Sequence, residues 1–248
     1  MWGIIPAAGR GSRIQPLAFS KELLPVGARS HGGERRPRAV SDYLVERMVR
    51  GGVTRLCFVI SPAKSDILQY YGGEAYETPI CYCVQPQPLG LCDAVFRALS
   101  LVDGDEPVVI GLPDTVWFPV DGLRALPRDA LSFLLFPVEH PEFFDAVLTR
   151  PDGRVESIQV KQAAPSTRWI WGAIQMPATV FRSLYALWRG RGDEYIGTLV
   201  NAWLAAGGEA WGVRAGTSYL DVGAMEGWFE AVRALAEPAA TSPSGSLA

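Results

Sequence analysis

Short apolar runs bounded by turn residues alternate with amphipathic stretches along most of the chain. This alternation is typical of strand and helix units wound on a parallel sheet. The clearest unit is a helix over 41–51, which ends at Gly51-Gly52, followed by a buried strand over 55–60. We therefore predict an α/β fold, with further strands at 3–7, 80–84, 107–112, 132–138, 146–149 and 155–159, and further helices at 93–101, 178–188 and 195–206.

Two segments depart from this alternation. Residues 27–38 are polar and rich in glycine, which predicts a loop or flexible insertion. Residues 237–248 consist mainly of Pro, Ser, Ala and Gly, which predicts a disordered tail. We therefore expect one catalytic domain over residues 1–236, interrupted by the 27–38 insertion and followed by the tail.

Composition excludes several classes of protein. The 248 residues carry a formal net charge of −3 with scattered basic residues, so no nucleic-acid partner is expected. The four cysteines lack CxxC or Cys/His ligand spacing, which favours reduced thiols over a metal site. No run approaches the roughly 20 apolar residues that span a membrane. We expect a soluble cytoplasmic enzyme without a membrane partner.

A glycine loop with two nearby cations follows the first strand. Gly9 and Gly11 can let backbone N–H groups approach a phosphate, and Arg13 and Lys21 can neutralise its oxygens. A dinucleotide fingerprint needs a small residue where Ile14 stands, and a Walker loop needs a Gly-Lys-Ser/Thr sequence that is absent. On the loop alone, a plain turn whose glycines serve only its geometry stays open as an alternative.

The loop resembles the hallmark of the sugar-nucleotide pyrophosphorylases, close to the glucose-1-phosphate thymidylyltransferase and uridylyltransferase branches. Their hallmark is Ala-Ala-Gly-x-Gly-Thr-Arg-x-x-Pro-x-Thr, then Pro-Lys-x-Leu-Leu-Pro. Ser12 and Ala18 replace the threonines, and Ser20 replaces the proline before the lysine. The matching positions are Ala7, Ala8, Gly9, Gly11, Arg13, Pro16, Lys21, Leu23, Leu24 and Pro25.

The resemblance implies a Rossmann-like, mixed and mainly parallel sheet flanked by helices, of the nucleotide-diphospho-sugar transferase type. It also implies that the nucleotide is held by Ala8, Gly9, Gly11 and Ser12. Gln85 to Ala94 is similar to the family's Gln-x-x-Pro-x-Gly-Leu-x-x-Ala segment, in which the glutamine and glycine contact the base. Gln85 and Gly90 are thus the candidates, since an amide can donate and accept at once. A polar residue at a strand end is the alternative for Gln85.

Two aspartates stand where the family holds its metal. Asp114 follows a predicted parallel strand, and Asp221 lies in a segment that resembles the family's Trp-x-Asp-x-Gly. The resemblance implies that both bind Mg²⁺, a hard ion that prefers a few oxygen ligands together with phosphates and water. A helix cap and a turn residue would be the structural alternatives.

The acceptor side of the site shows a weaker resemblance. Lys161 stands where the family has Glu-Lys-Pro, but Val160 and Gln162 replace the glutamate and the proline. Lys161 is the candidate for gripping the sugar 1-phosphate, together with Gly172 on the sugar side. The nearby Trp169 and Trp171 could equally stack on a ring or fill the core.

The resemblance implies Mg²⁺-dependent transfer of a nucleotidyl group from a nucleoside triphosphate, with dTTP or UTP favoured, to a sugar 1-phosphate. Arg13 would hold the departing pyrophosphate and Lys21 the α-phosphate. Two alternatives stay open: transfer to a non-sugar phosphate, and a non-catalytic regulatory subunit that binds a nucleotide sugar. Family members commonly form dimers or tetramers, so a homo-oligomer is compatible with the resemblance.

Overall fold

The computed structural model describes residues 1–236, and the predicted tail over 237–248 lies outside the described residues. The strands in this part are β1 (Trp2–Pro6), β2 (Pro25–His31), β3 (Glu34–Ala39), β4 (Arg55–Ile60), β5 (Glu74–Ala75), β6 (Thr78–Val84), β7 (Val108–Gly111), β8 (Thr115–Phe118), β9 (Leu131–Pro137), β10 (Asp145–Thr149), β11 (Val155–Val160), β12 (Trp169–Met176), β13 (Ala210–Val213) and β14 (Ser218–Asp221). The α-helices are α1 (Val40–Arg50), α2 (Ser65–Tyr71), α3 (Leu91–Phe96), α4 (Ala178–Arg191), α5 (Ile196–Ala205) and α6 (Met225–Leu235).

The central sheet is mixed, as the sequence predicted. Its strands follow the order β11-β10-β12-β7-β1-β4-β6-β5; off this path, β9 pairs with β12 and β13 pairs with β9. The four strands β7, β1, β4 and β6 run parallel to one another, whereas β12 joins β7 in the antiparallel sense. The α/β prediction is therefore confirmed, with the parallel strands forming the half of the sheet that carries the glycine loop.

Alternating side chains of the central strands feed two separate cores. Ile4 and Cys57 are fully buried in the cluster that includes residues of α3, α4 and α5. Their neighbours Ile5 and Phe58 are fully buried in the cluster that includes residues of α1 and α2. Because successive side chains of a strand point to opposite faces, the sheet carries helices on both of its faces. No helix of the described part is long and apolar enough to cross a membrane.

Residues 27–38 form most of an antiparallel hairpin, so the prediction of a loop or flexible insertion is wrong. Strand β2 pairs with β3 from Pro25 opposite Ala39 to His31 opposite Glu34. The turn is made by Gly32 and Gly33, whose φ angles of +61° and +82° suit a two-residue hairpin turn. Most of β3 is exposed, so its side chains need not be apolar. Its polar sequence therefore lacks the apolar alternation that predicts a strand.

The hairpin, α6 and a ribbon of β8 and β14 form a third, smaller core. Its buried members include Val26, Val116, Leu220 and Ala231. A Cβ on Gly27 would lie 3.3 Å from Leu235, which shows how closely β2 approaches α6. The sequence did not predict α6 or the ribbon, and it is the ribbon that brings the end of the chain back to the sheet.

Candidate active site

The glycine loop leaves β1 at the carboxyl edge of the parallel strands, where open α/β sheets bind ligands. The N–H of Ala7 still donates to the carbonyl of Val59 at 2.8 Å, and the carbonyl of Gly11 accepts from Gln15 at 3.0 Å. Gly11 has a φ of +66°, and a Cβ there would lie 3.0 Å from the side chain of Lys21. The glycine therefore permits both the turn and the close approach of the lysine.

Two hydrogen bonds fix the start of the short 3-10 turn that carries Lys21. The backbone N–H and the hydroxyl of Ser20 donate to the carboxylate of Asp66 at 2.6 and 2.7 Å. Asp66 lies in the first turn of α2. The sequence showed that Ser20 replaces the family's proline, and the structure shows that these hydrogen bonds hold the segment in its place.

A buried ion pair, which the sequence analysis missed, supports the same turn. The ammonium of Lys64 donates to both carboxylate oxygens of Glu22, at 2.7 and 2.8 Å, and to the carbonyl of Ala7 at 2.7 Å. Glu22 is 1% exposed and Lys64 is 8% exposed. The pair ties the end of β1 to the Lys21 segment and to the start of α2. Nothing in the sequence marks Lys64, because its partner lies far away along the chain.

The ribbon of β8 and β14 places the two predicted metal ligands side by side. Thr115 pairs with Asp221 across the ribbon. The N–H of Val222 donates to the carbonyl of Asp114 at 2.9 Å. Asp114 lies in the short segment between β7 and β8, so the ribbon carries Asp221 to the carboxyl edge of the parallel strands.

Two cations and two carboxylates converge beside Gly223. The ammonium of Lys21 donates to Asp114, and the guanidinium of Arg13 donates to Asp221 at 3.0 Å. A Cβ on Gly223 would lie 2.8 Å from Asp114 Oδ2, 2.9 Å from Asp221 Oδ1 and 3.0 Å from Arg13 Nη2. The structure thus brings together four residues that the sequence singled out at widely separated positions. We call these four side chains the ion-pair centre.

The ion-pair centre shifts the pKa values of its buried members in opposite directions. Burial acts to lower the pKa of Lys21, but the carboxylates of Asp114 and Glu22 outweigh it, and the pKa lies above its ordinary value. Burial acts to raise the pKa of Asp114, but Lys21 outweighs it, and the pKa lies below its ordinary value. Both groups are therefore charged at neutral pH, each because of the other.

The donor set of the ion-pair centre fits a magnesium ion. Asp114 and Asp221 both approach the same point beside Gly223 with carboxylate oxygens, the hard ligands that Mg²⁺ prefers. Within residues 1–236 there is no cluster of three or more His, Cys, Asp and Glu side chains suited to a metal. Two carboxylates suffice for Mg²⁺ when substrate phosphates and water supply the other ligands.

A cavity of about 700 Å³ opens on one side of the glycine loop. Ala8, Gly9 and Gln85 line it. Gly9 is exposed, and nothing lies within 4 Å of the position that a Cβ would take. Its backbone is therefore open to the cavity, whereas Ser12 is exposed on the loop without lining this space.

Gln85 is held in a fixed orientation at this cavity. Its side-chain N–H₂ group donates to the carboxylate of Asp93 at 2.8 Å and to the carbonyl of Gly90 at 3.0 Å. Gly90 itself has a φ of +94°, and a Cβ there would lie 2.8 Å from the carbonyl oxygen of Glu194. Because an ionised carboxylate only accepts hydrogen bonds, Asp93 determines that the nitrogen of the Gln85 amide faces inward. The oxygen Oε1 then remains as the acceptor.

A second cavity of about 410 Å³ opens on the other side of the loop. Gly9 lines both cavities, so the two meet at the loop. The second cavity is also lined by Arg13, Lys21 and Asp114 of the ion-pair centre, and by Lys161 and Trp171. The ion-pair centre therefore borders the second cavity, which meets the first cavity at Gly9.

The two residues predicted for the sugar side have different surroundings. Lys161 lines the second cavity, with a left-handed φ of +48° and its ammonium donating to the carbonyl of Phe143 at 3.1 Å. Gly172 lies at an irregularity of β12, where a Cβ would lie 2.5 Å from Phe136 and 2.8 Å from Tyr219. Gly172 thus permits close packing beneath the site, and its neighbour Trp171 lines the cavity.

The chain is similar in sequence to known nucleotidyltransferases. The low-salt glycan biosynthesis nucleotidyltransferase Agl11 of Haloferax volcanii is 28% identical over 202 residues, which cover 77% of this chain and 54% of Agl11. The chain thus spans about half the length of that relative. The UTP–glucose-1-phosphate uridylyltransferase AglF of the same organism is 25% identical over 246 residues, which cover 96% of this chain and 97% of AglF.

Solved structures show the same fold. The UDP-glucose pyrophosphorylase of Acinetobacter baumannii superposes with a TM-score of 0.74 at 21% identity, covering 93% of this chain and 91% of that one. The model of the nucleotidyl transferase family matches residues 2–237. With nearly all of its length matched, the chain belongs to the nucleotidyl transferase family.

Proposed function

We propose that the chain transfers a nucleotidyl group from a nucleoside triphosphate to a sugar 1-phosphate, with Mg²⁺, and releases pyrophosphate. The observation that carries the proposal is the ion-pair centre at the second cavity, which meets the first cavity at Gly9 of the glycine loop. One cavity presents an amide acceptor suited to a base, and the other presents Lys161 for an acceptor phosphate. The relative AglF, a UTP–glucose-1-phosphate uridylyltransferase, points the same way.

The orientation of Gln85 favours dTTP or UTP as the nucleotide. With its nitrogen bound to Asp93 and Gly90, the side chain offers the oxygen Oε1 to a ligand. Uracil and thymine carry an imide N–H that can donate to such an oxygen. Neutral cytosine has an acceptor at the same ring position, so it would place two acceptors face to face.

The chemistry needs no covalent enzyme intermediate, because the acceptor is already an anionic nucleophile. An oxygen of the sugar 1-phosphate attacks the α-phosphorus, and the bond to pyrophosphate breaks. Lys161 holds the acceptor phosphate, Lys21 the α-phosphate and Arg13 the departing pyrophosphate. Asp114 and Asp221 would hold Mg²⁺, which would supply charge neutralisation for the phosphate oxygens. Catalysis is then positioning and electrostatic stabilisation by groups that the fold has already placed.

Two other functions compete with this one. The first is transfer to a non-sugar phosphate, and the second is a regulatory subunit that binds a nucleotide sugar without catalysis. The regulatory function is disfavoured because Arg13, Lys21, Asp114 and Asp221 are all present and converge on one point. An acceptor without a sugar ring would leave much of the second cavity, with Trp171 and Tyr219, without a partner.

The first test is pyrophosphate release by the purified full chain with Mg²⁺, across five nucleoside triphosphates and several sugar and alcohol phosphates. We expect release that requires both substrates, with dTTP or UTP and a sugar 1-phosphate most active. Release only with an alcohol phosphate would contradict the sugar acceptor. Nucleotide binding without release from any pair would contradict the transferase and support the regulatory function.

Replacing Lys21 tests the role of the ion-pair centre. Lys21→Met should lower kcat by about 10² to 10³, the usual effect of removing one charge-stabilising group. The control is Arg182→Ala, which removes an exposed cation near Gly104, far from the centre along the chain. Lys21→Met leaves the Asp114 carboxylate buried without a cation. The double variant Lys21→Met/Asp114→Asn removes that charge as well, and its thermal unfolding checks that the fold persists. Nearly full activity of Lys21→Met would exclude Lys21 from the mechanism.

Replacing Asp93 tests how the base is read. In Asp93→Asn the partner of Gln85 is itself an amide that can donate or accept, so only the Gly90 carbonyl still favours the original orientation of Gln85, and the reversed orientation that can meet cytosine costs less. The ratio of kcat/KM for UTP over CTP should then fall by about tenfold, the value of roughly one hydrogen bond. Arg97→Ala is the matched control, because it removes the exposed ion-pair partner of Asp93 and leaves Gln85 anchored. An unchanged ratio in Asp93→Asn would contradict this reading of the base.

A further inference from the structure

Asp145 is a carboxylate in the second cavity that the mechanism above does not use. It begins β10 and lines the cavity together with Lys161 and Trp171. Its oxygen Oδ1 is buried and accepts no hydrogen bond from any described residue. A buried acceptor without a partner is destabilising, so such an atom needs an explanation, and a ligand that completes the hydrogen bonding is one.

Asp145 faces the position on the neighbouring strand where this chain lacks the glutamate of the family's motif. Asp145 lies directly opposite Val160 in the antiparallel pair of β10 and β11. Residues opposite each other in such a pair project to the same face. Val160 stands where the Glu-Lys-Pro motif has its glutamate. In this chain the carboxylate is therefore that of Asp145 on β10 instead of a glutamate on β11, beside the same lysine, Lys161.

The surroundings of Asp145 fit a neutral hydrogen-bond donor. Burial raises the pKa of the Asp145 carboxyl above its ordinary value, and the charge of Lys161 offsets this only in part. The lysine already supplies the positive charge, so what the carboxylate lacks is a donor for Oδ1. Trp171 also lines the cavity, and its side chain hydrogen-bonds to the Asp145 carboxyl while its ring presents an aromatic surface. A sugar ring, with hydroxyl donors on its edge and apolar C–H groups on its faces, has this combination of properties.

Building on the proposed function, on which this assignment rests, we infer that Asp145 is a specificity-determining residue of the acceptor site. Its carboxylate accepts a hydrogen bond from a hydroxyl of the sugar ring, while Lys161 holds the phosphate of the same molecule. The enzyme thereby distinguishes sugar 1-phosphates by the presence of that hydroxyl. A site built to bind a hydroxyl rejects an analogue without it, because its own buried acceptor is then left unpaired.

The test compares glucose 1-phosphate with its 2-, 3-, 4- and 6-deoxy analogues as acceptors. In the unmodified protein one analogue should have a kcat/KM about 10 to 100-fold below that of the parent, the range of a hydrogen bond to a charged group. In Asp145→Ala the parent should fall to about the level of that analogue, and the difference between the two should vanish. Asp145→Asn, which keeps the size of the side chain, should reduce the difference without removing it.

Glu156→Ala is the matched control, because Glu156 is an exposed carboxylate on the facing strand β11 and lines neither of the two cavities. It should retain the full discrimination. Equal use of all four analogues by the unmodified protein, or unchanged discrimination in Asp145→Ala, would overturn the role of Asp145 while leaving the transferase activity intact. Failure of the proposed function would be different: no pyrophosphate release with any acceptor.

Discussion

The site depends on the meeting of Lys21 with Asp114 and of Arg13 with Asp221 at one point beside Gly223. Each element around that point positions one member. The glycine loop carries Arg13, the Ser20 segment carries Lys21, the segment between β7 and β8 carries Asp114, and the ribbon of β8 and β14 carries Asp221. The Lys21–Asp114 pair is buried, and a buried charge that loses its partner destabilises the fold strongly. The same contacts therefore hold the fold together and keep the charges in place for phosphate chemistry.

Both cavities are prepared before a substrate enters. The amide of Gln85 is fixed by Asp93 and Gly90. Lys161 is held in a left-handed backbone conformation that few residues other than glycine adopt. This conformation places Lys161 beside the second cavity, at some cost in backbone strain. Groups held in this way do not have to reorganise when charge develops during the reaction, and this preorganisation is a major source of catalytic rate.

Local sequence predicted much of this structure, because local signals governed it. The strand over 55–60 has the predicted bounds. The glycine loop follows β1, and Arg13 and Lys21 line the second cavity beside it. The hairpin of β2 and β3 was missed because its exposed strand β3 carries polar residues, so no apolar alternation marks that strand. The Glu22–Lys64 pair and Asp145 were missed for another reason: their importance comes from partners on other strands and helices. Such contacts appear only when the chain is folded.

The proposed reaction is a single direct displacement at the α-phosphorus. It takes place at the ion-pair centre and forms no nucleotidyl-enzyme intermediate. The measurement that tests it most directly is the configuration of the α-phosphorus in the nucleotide sugar made from one stereoisomer of an α-thio nucleoside triphosphate. One in-line displacement predicts inversion of that configuration. Retention would require two displacements through a covalent enzyme intermediate and would contradict the account.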